Sequence, residues 1–531
     1  MPRRALWSGL LAVCALYAVD LGRAPIYLHE AEVLFALHAR SIATTAHDTN
    51  GRLLPLYFQM PSIGENVWFH PIIVYWMALF SRWLPMTEWA VRLPSVFVGL
   101  IDVVLMYLIG RRLFHSPRWG LLAAALLALT PAHFMHSRIA MDYLYPVPFV
   151  MAWLLCLLIF LERRSEWILL LGTSLLGIGF YSYIASVIMM PVYLLMTWTT
   201  LRATASRSRL YIVSGAGFVW PLALLVVWLS LHPAIVAATM SRYQIGQATA
   251  APGAAAGGSM SELLERSRHN VRFSELTGRV SLYWYFFDPA YLFLTGGYAN
   301  VVNSTRHFGV FLAPLLVFVP IGLVRLWKAR QSPLDRLVVL GFLSAPLAAC
   351  LVVPEPYAVD RELGVLPFGV LAATVSVKYM FERGRVWRTV ALSLLAIVPI
   401  HFALFYTEYF WSYRVQSAFW FEFNRRGAIE EILKRDAQDH PPAIYLSTRR
   451  IPYLEAYWKL YLKKHGREDL LDRTRYVDAD ALNMNDVPAG SLLLAGRPVE
   501  SLEKLVHTGA LKELALIPEP GDPPAFMILR R

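Results

Sequence analysis

Apolar residues run in blocks of about 17–22 along most of the first four hundred positions, each long enough to cross a hydrocarbon core of about 30 Å. The blocks lie near 5–21, 93–110, 119–135, 146–162, 166–184, 186–201, 210–231, 307–324, 337–353, 363–381 and 388–406, which predicts a polytopic α-helical membrane protein with about eleven transmembrane helices. Arg3 and Arg4 precede the first block. Every second connection after it is basic: Arg111, Arg112 and Arg118; Arg163 and Arg164; Arg202, Arg207 and Arg209; Arg325, Lys328, Arg330 and Arg336; Arg383, Arg385 and Arg388. By the positive-inside rule the N-terminus is then cytoplasmic, and an odd number of spans puts the C-terminus outside.

Counting the apolar stretch 68–84 as a span would move the later basic connections to the side opposite Arg3 and Arg4, so it is expected to lie on the outer surface instead. Pro71 near its start and Trp68, Tyr75, Trp76 and Trp83 at headgroup depth suit an interfacial helix. Residues 31–44, with Val33, Leu34, Leu37 and Ile42 on one helical face, predict a second juxtamembrane helix in the same outer loop. A later outer loop, 232–306, carries a small-residue run at 248–259 and an aromatic run at 283–287 that reads best as membrane anchoring. From residue 408 the pattern changes. Helical periodicity at 425–438, 453–464 and 498–507 alternates with β-type runs at 443–447, 491–494 and 526–529. This predicts a membrane domain, 1–407, and a small extracytoplasmic α/β domain, 408–531.

Composition sharpens the class. With 57% hydrophobic and 16% charged residues and a mean hydropathy of +0.46, the chain is excluded from the ordinary soluble globules. The net charge of +12 sits in the short basic connections, so it reports orientation and not a nucleic-acid partner. Cys14, Cys156 and Cys350 each fall inside an apolar block, which gives neither a disulfide framework nor a thiolate metal site. The first block has no convincing cleavage site and is expected to stay as a helix.

Polar groups collect on the predicted outer face. The first loop holds His29, Glu30, Glu32, Asp48, Arg52, Glu65 and His70, and the second holds Arg138 and Asp142. Later loops hold Arg268, His269, Asp288, Arg306 and His307, then Glu355, Asp360, Arg361 and Glu362. Sugar transfer from a lipid phosphate needs such a set: a carboxylate to take the acceptor proton, and cations or donors to stabilise the departing phosphate. Blander roles compete. His70 before Pro71 also suits a helix cap, and Arg138 also suits a structural pair with Asp142 four residues on.

The order of motifs resembles the GT-C superfamily of integral-membrane glycosyltransferases, in the branch of protein O-mannosyltransferases and aminoarabinose transferases. The segments that carry the resemblance are 27–32, 51–58, 69–76, 88–95, 136–142, 287–293 with Arg306 and His307, and 354–361. It implies an inverting transferase that moves a sugar from a polyprenyl-phosphate donor to a protein, glycolipid or polysaccharide acceptor, in contact with membrane lipid. In that reading Glu30 or, by a slipped register, Glu32 is the base, and Asp142 matches a second-loop acid. His70, standing where the family has lysine, Arg138 and Arg361 face the donor phosphate, and His29, Glu65, Arg306 and His307 face substrate. No cofactor is called for, although the chemistry leaves a divalent metal open. The expected location is the inner (plasma) membrane of a bacterium with the site outside. The alternative is a transporter or flippase of lipid-linked saccharides, which needs ionisable groups inside the spans; Asp102 is the main candidate. A catalytically silent scaffold is a third reading.

Overall fold

A computed structural model describes residues 2–62, 65–204, 208–233, 273–297, 301–329, 332–351, 356–478, 481–498 and 500–531. The run 248–259, Arg268, His269 and Glu355 lie outside the described residues, as does the side chain of Glu65.

Among the described residues six helices are long and apolar enough to cross a membrane: Glu88–Leu113, Pro146–Arg163, Ser208–Leu231, Pro333–Leu351, Val365–Glu382 and Arg385–Gln416. Of the remaining predicted spans, 186–201 is the 19-residue helix Ser186–Thr204 with Pro191 inside it, and the others are shorter or broken helices. Helix Pro117–Ala128 stops before Pro131, which starts a separate turn, Pro131–His136, because proline lacks the amide that would continue the ladder. Glu166–Gly179, Ser186–Thr204 and Leu315–Ala329 complete the bundle, with Val365–Glu382 its most buried long helix. Gly322 lets two of these helices touch: a Cβ there would strike the backbone of Ala372.

Among the described residues, basic side chains of these connections gather at one end of the bundle. Arg112 pairs with Glu162, Arg209 with Glu166 at 3.0 Å, and Arg325 and Arg388 lie over Tyr379 and Phe381. The two juxtamembrane helices, Glu30–Thr45 and Pro71–Ser81, form at the other end, packed against each other. Between them the first loop adds a hairpin that the periodicity does not announce, β1 (Phe58–Ser62) against β2 (Glu65–Phe69).

The last hundred residues build a five-stranded mixed sheet. Strands β3 (Ile444–Ser447), β5 (Leu492–Gly496) and β7 (Phe526–Arg530) are its buried middle, and β4 (Thr474–Val477) and β6 (Lys512–Ile517) its edges, in the order β4-β3-β5-β7-β6. β3 runs parallel to β4 and β5, whereas β7 runs antiparallel to β5 and β6. Helices Arg425–Asp439, Leu454–His465 and Glu500–His507 accompany it. Leu454–His465 also packs on the juxtamembrane helix Glu30–Thr45, which sets the sheet unit over the first loop.

Candidate active site

Glu30 is the first residue of the juxtamembrane helix, and its neighbours divide sharply in role. His29 is the N-cap in extended backbone (φ −74°, ψ 153°), with a reciprocal box in which its own amide donates to Glu32 Oε2 at 2.9 Å. Nδ1 of His29 stands 3.2 Å from the Ala31 amide and 3.0 Å from Glu30 Oε2. Unprotonated, Nδ1 accepts from the amide; protonated, it donates to the carboxylate. Burial alone would lower the His29 pKa, but the Glu30 bond and the carboxylates of Glu30, Glu422 and Glu32 outweigh it and raise the value. Burial likewise works to raise Glu30, yet the bond and charge of His29 hold it below the usual carboxylate range.

Glu32 is committed elsewhere. Fully buried, it accepts at Oε1 from Arg92 Nε and the Ala140 amide, both at 2.9 Å, and at Oε2 from the second arm of Arg92 at 3.0 Å as well as from His29. Arg92 in turn donates to the carbonyls of Leu21, Pro25 and Tyr27. The pair ties the first loop to a transmembrane helix and leaves Glu32 no free oxygen.

Arg138 is similarly spent. It donates to the carbonyls of Tyr17, Val19, Asp20 and Ala24, stacks near Phe134, Tyr409 and Phe410, and fastens the end of the first helix. It does not bond Asp142. His70 precedes helix Pro71–Ser81 but makes no side-chain cap; it is buried against Tyr57, which also meets Tyr181 and Trp228. Burial pushes its pKa down to about 4, so it is a neutral group near pH 7.

A second cluster forms around Asp360. Its Oδ2 accepts from Tyr183 at 2.7 Å and faces Arg361 Nε at 3.6 Å; its Oδ1 accepts from Asn303 at 3.1 Å, and Asn303 is 3.3 Å from His136. Tyr143 packs edge-on against Tyr183 and lies within electrostatic reach of Asp360, Asp142, Glu30 and Arg361, so the first, second and later loops converge on it. Buried Asp142 has its pKa raised to about 8 by desolvation, and burial also raises that of Glu362, which accepts from Tyr291 at 2.8 Å. Below Tyr143 a narrow cavity of about 30 Å³ is lined by Tyr183, Asp360 and Arg361 at its polar end and by Val147, Val150, Met189 and Met190 from two helices of the bundle.

Arg306 is half-buried in a positive-φ turn (φ 66°) with Nε unbonded, and His307 pairs with Glu408 at 2.8 Å; neither contact involves Glu30. Glu422, absent from the sequence-based candidates, lies close enough to Glu30 for the two carboxyls to shift each other's pKa. Burial, with Glu30 beside it, raises its pKa to about 6 against the pull of Arg425. It follows the last membrane helix in a turn where Glu422 and Phe423 both have positive φ, and nothing in the local pattern signals the approach. Tyr143, Tyr183 and Asn303 were missed for the same reason. Among the described residues no group of three His, Cys, Asp or Glu side chains is placed to hold a metal ion.

The bundle of membrane helices capped by a sheet unit is the fold of solved ArnT structures. Residues 69–242 match the family described as dolichyl-phosphate-mannose-protein mannosyltransferase. The chain superposes on ArnT from Cupriavidus metallidurans in the apo state with a TM-score of 0.58 at 13% identity, covering 100% of this chain and 98% of that one. ArnT from Cupriavidus metallidurans bound to undecaprenyl phosphate gives a TM-score of 0.54 at 12% identity, with 98% of this chain and 97% of that one covered. No curated protein matches the sequence.

Proposed function

We propose that the protein is an inverting glycosyltransferase that moves a sugar from a polyprenyl-phosphate donor to an acceptor hydroxyl at the extracytoplasmic face, in the inner (plasma) membrane of a bacterium. The observation that carries this is the meeting of Glu30 and Arg361 around Tyr143, above a cavity whose lower wall is apolar. In this reading the prenyl chain lies between the two lining helices, and the phosphate rests at Arg361. Glu30, ionised and partly open, takes the proton of the acceptor hydroxyl as its oxygen attacks the anomeric carbon. The bond from that carbon to the phosphate oxygen breaks on the opposite face, and the phosphate leaves with both electrons, stabilised by the Arg361 guanidinium. Attack opposite the leaving group inverts the anomeric centre.

The buried geometry favours Glu30 over Glu32 as base, Arg361 over His70 and Arg138 as the phosphate cation, and Asp142 as a neutral hydrogen-bond donor near neutral pH. The basic end of the bundle supports the outward placement of the site. Asp102 faces His133 at 3.3 Å, inside a network closed by Tyr17, so it supports packing better than a transport path. Purified protein in nanodiscs with a polyprenyl-phosphate sugar tests the reading. Glu30→Gln is expected to abolish transfer without loss of fold, and the wild-type product to carry the inverted anomeric configuration; full activity of Glu30→Gln would sink the assignment.

A further inference from the structure

Outside this site a second cavity of about 730 Å³ opens between the juxtamembrane helix Glu30–Thr45 and the sheet unit. Leu34, Leu37, Ser41 and Thr44 of that helix line it, and they follow Glu30 at i+4, i+7, i+11 and i+14. That is the spacing of one helical face, so the groove begins one turn beyond the proposed base and stays on its side of the helix. From Leu34 to Thr45 it runs about 16 Å along the axis at about 1.5 Å per residue.

The lining has a definite chemistry. Hydroxyls come from Ser41, Thr44 and Thr45 on the helix and from Thr448 across the groove; amides come from Asn50 and Gln59 on its side wall. Each hydroxyl and amide can both donate and accept. The flat faces of Pro61, Pro452 and Tyr453 stand among them. Three cations also border the groove, but each is already engaged: Arg40 with the Ser81 carbonyl, Lys459 with Glu455 and Lys463 with Glu468, the last two at 2.6 Å. A phosphate or carboxylate ligand would have to share those cations with the partners they already hold. A neutral polyhydroxylated ligand would not, and its hydroxyls and ring faces match the mixture of donors, acceptors and flat apolar surface.

We propose that this groove binds the saccharide chain of a glycan acceptor, laid along the juxtamembrane helix with its terminal sugar directed to Glu30. The proposal rests on the transfer reading for the role of that sugar, but the binding itself does not. Two hydroxyl positions on the helix, Ser41 and Thr45, stand on the groove wall where a larger side chain would fill it; the Thr45 hydroxyl also accepts from the His47 amide at 3.2 Å. Ser41→Trp and Thr45→Trp, made singly and together in the full chain in nanodiscs, are expected to raise the KM for a glycan acceptor at least tenfold while the donor KM and melting temperature hold. An unchanged acceptor KM would overturn the proposal.

A binding arm needs no turnover. Fluorescent glucan, mannan and galactan tetrasaccharides are titrated into the Glu30→Gln protein, each free and on a lipid anchor. At least one is expected to bind and to lose at least tenfold in affinity in the tryptophan variants. Binding of the free form points to a polysaccharide source, and binding of the anchored form alone to a glycolipid. If no saccharide binds, or a Ser/Thr-rich peptide competes for the groove instead, the proposal fails. If Glu30→Gln remains active, the transfer reading fails while the titration still judges the groove.

Discussion

Two residues apart, Glu30 and Glu32 are indistinguishable as letters, and only their partners separate them. Arg92 fills both oxygens of Glu32 from sixty positions away, whereas Glu30 keeps a histidine and a second carboxyl. Glu32→Gln strands a fully buried guanidinium, which costs about 3–5 kcal/mol, so its melting temperature is expected to fall markedly. Glu30→Gln is expected to melt like the wild type, so a thermal scan in detergent tells the two variants apart. His70 gives a pH signature. Its folded pKa of about 4 lies below the unfolded value of about 6.5, so the stability from burying neutral imidazole is complete above pH 6.5. It is lost as pH falls from there towards 4, at up to about 1.4 kcal/mol per unit. His70→Gln is therefore expected to flatten the melting temperature against pH across that window; an unaltered acid limb would contradict the buried, neutral assignment. At this scale the sequence delivered the candidate list, since charge types survive in one dimension. It could not rank them, because Arg92, Tyr143 and Glu422 reach the site from distant segments.

Elements were more legible than residues because periodicity is local. The two juxtamembrane helices and the three C-terminal helices fall close to where hydrophobic spacing puts them. The fully buried strands β3 and β5 were visible as apolar runs, whereas the edges β4 and β6 were not: Arg475, Lys512 and Glu513 give them the polar look that edge strands carry against aggregation. Helix contacts were also hidden, since a glycine reads the same whether or not a neighbour crosses it. Gly322→Leu must push helix Leu315–Ala329 away from the Ala372 backbone and is expected to destabilise the bundle by about 1–3 kcal/mol. Gly9, whose Cβ direction is open, is the control: Gly9→Leu is expected to leave the detergent melting temperature within a degree or two. Equal behaviour of the two would remove the close crossing from the account.

At the scale of the whole molecule, what matters is how the sheet unit is held over the first loop, and this was the least readable feature because docking surfaces have no period. Tyr457 donates to the Leu28 carbonyl at 2.7 Å, directly beside the proposed base, and Tyr27 donates to Glu519 at 3.2 Å. At the start of a membrane helix, buried Glu88 accepts from Tyr461 at 3.0 Å and from Lys464 at 3.1 and 3.2 Å. Lys464 also reaches Glu430 at 3.2 Å, so its ammonium bridges two carboxylates, one from each side of the junction, which Arg426 also meets at 3.6 and 3.1 Å. Lys464→Glu would bring three carboxylates together where burial leaves little water to screen them. The junction is then expected to open: amide exchange in helix Leu454–His465 rises, Tyr457 loses its hold beside Glu30, and transfer falls at least tenfold. The membrane helices have their own packing and should keep their exchange protection. Lys464→Met, which removes the cation without adding repulsion, is expected to lie between wild type and reversal. Reversal at the exposed Lys434, far less tightly paired at 3.9 Å, should change nothing. If Lys464→Glu left exchange in that helix unchanged, the sheet unit would have to be held by its apolar contacts and the tyrosine hydrogen bonds, and the Lys464 ion pair would have no part in positioning the site.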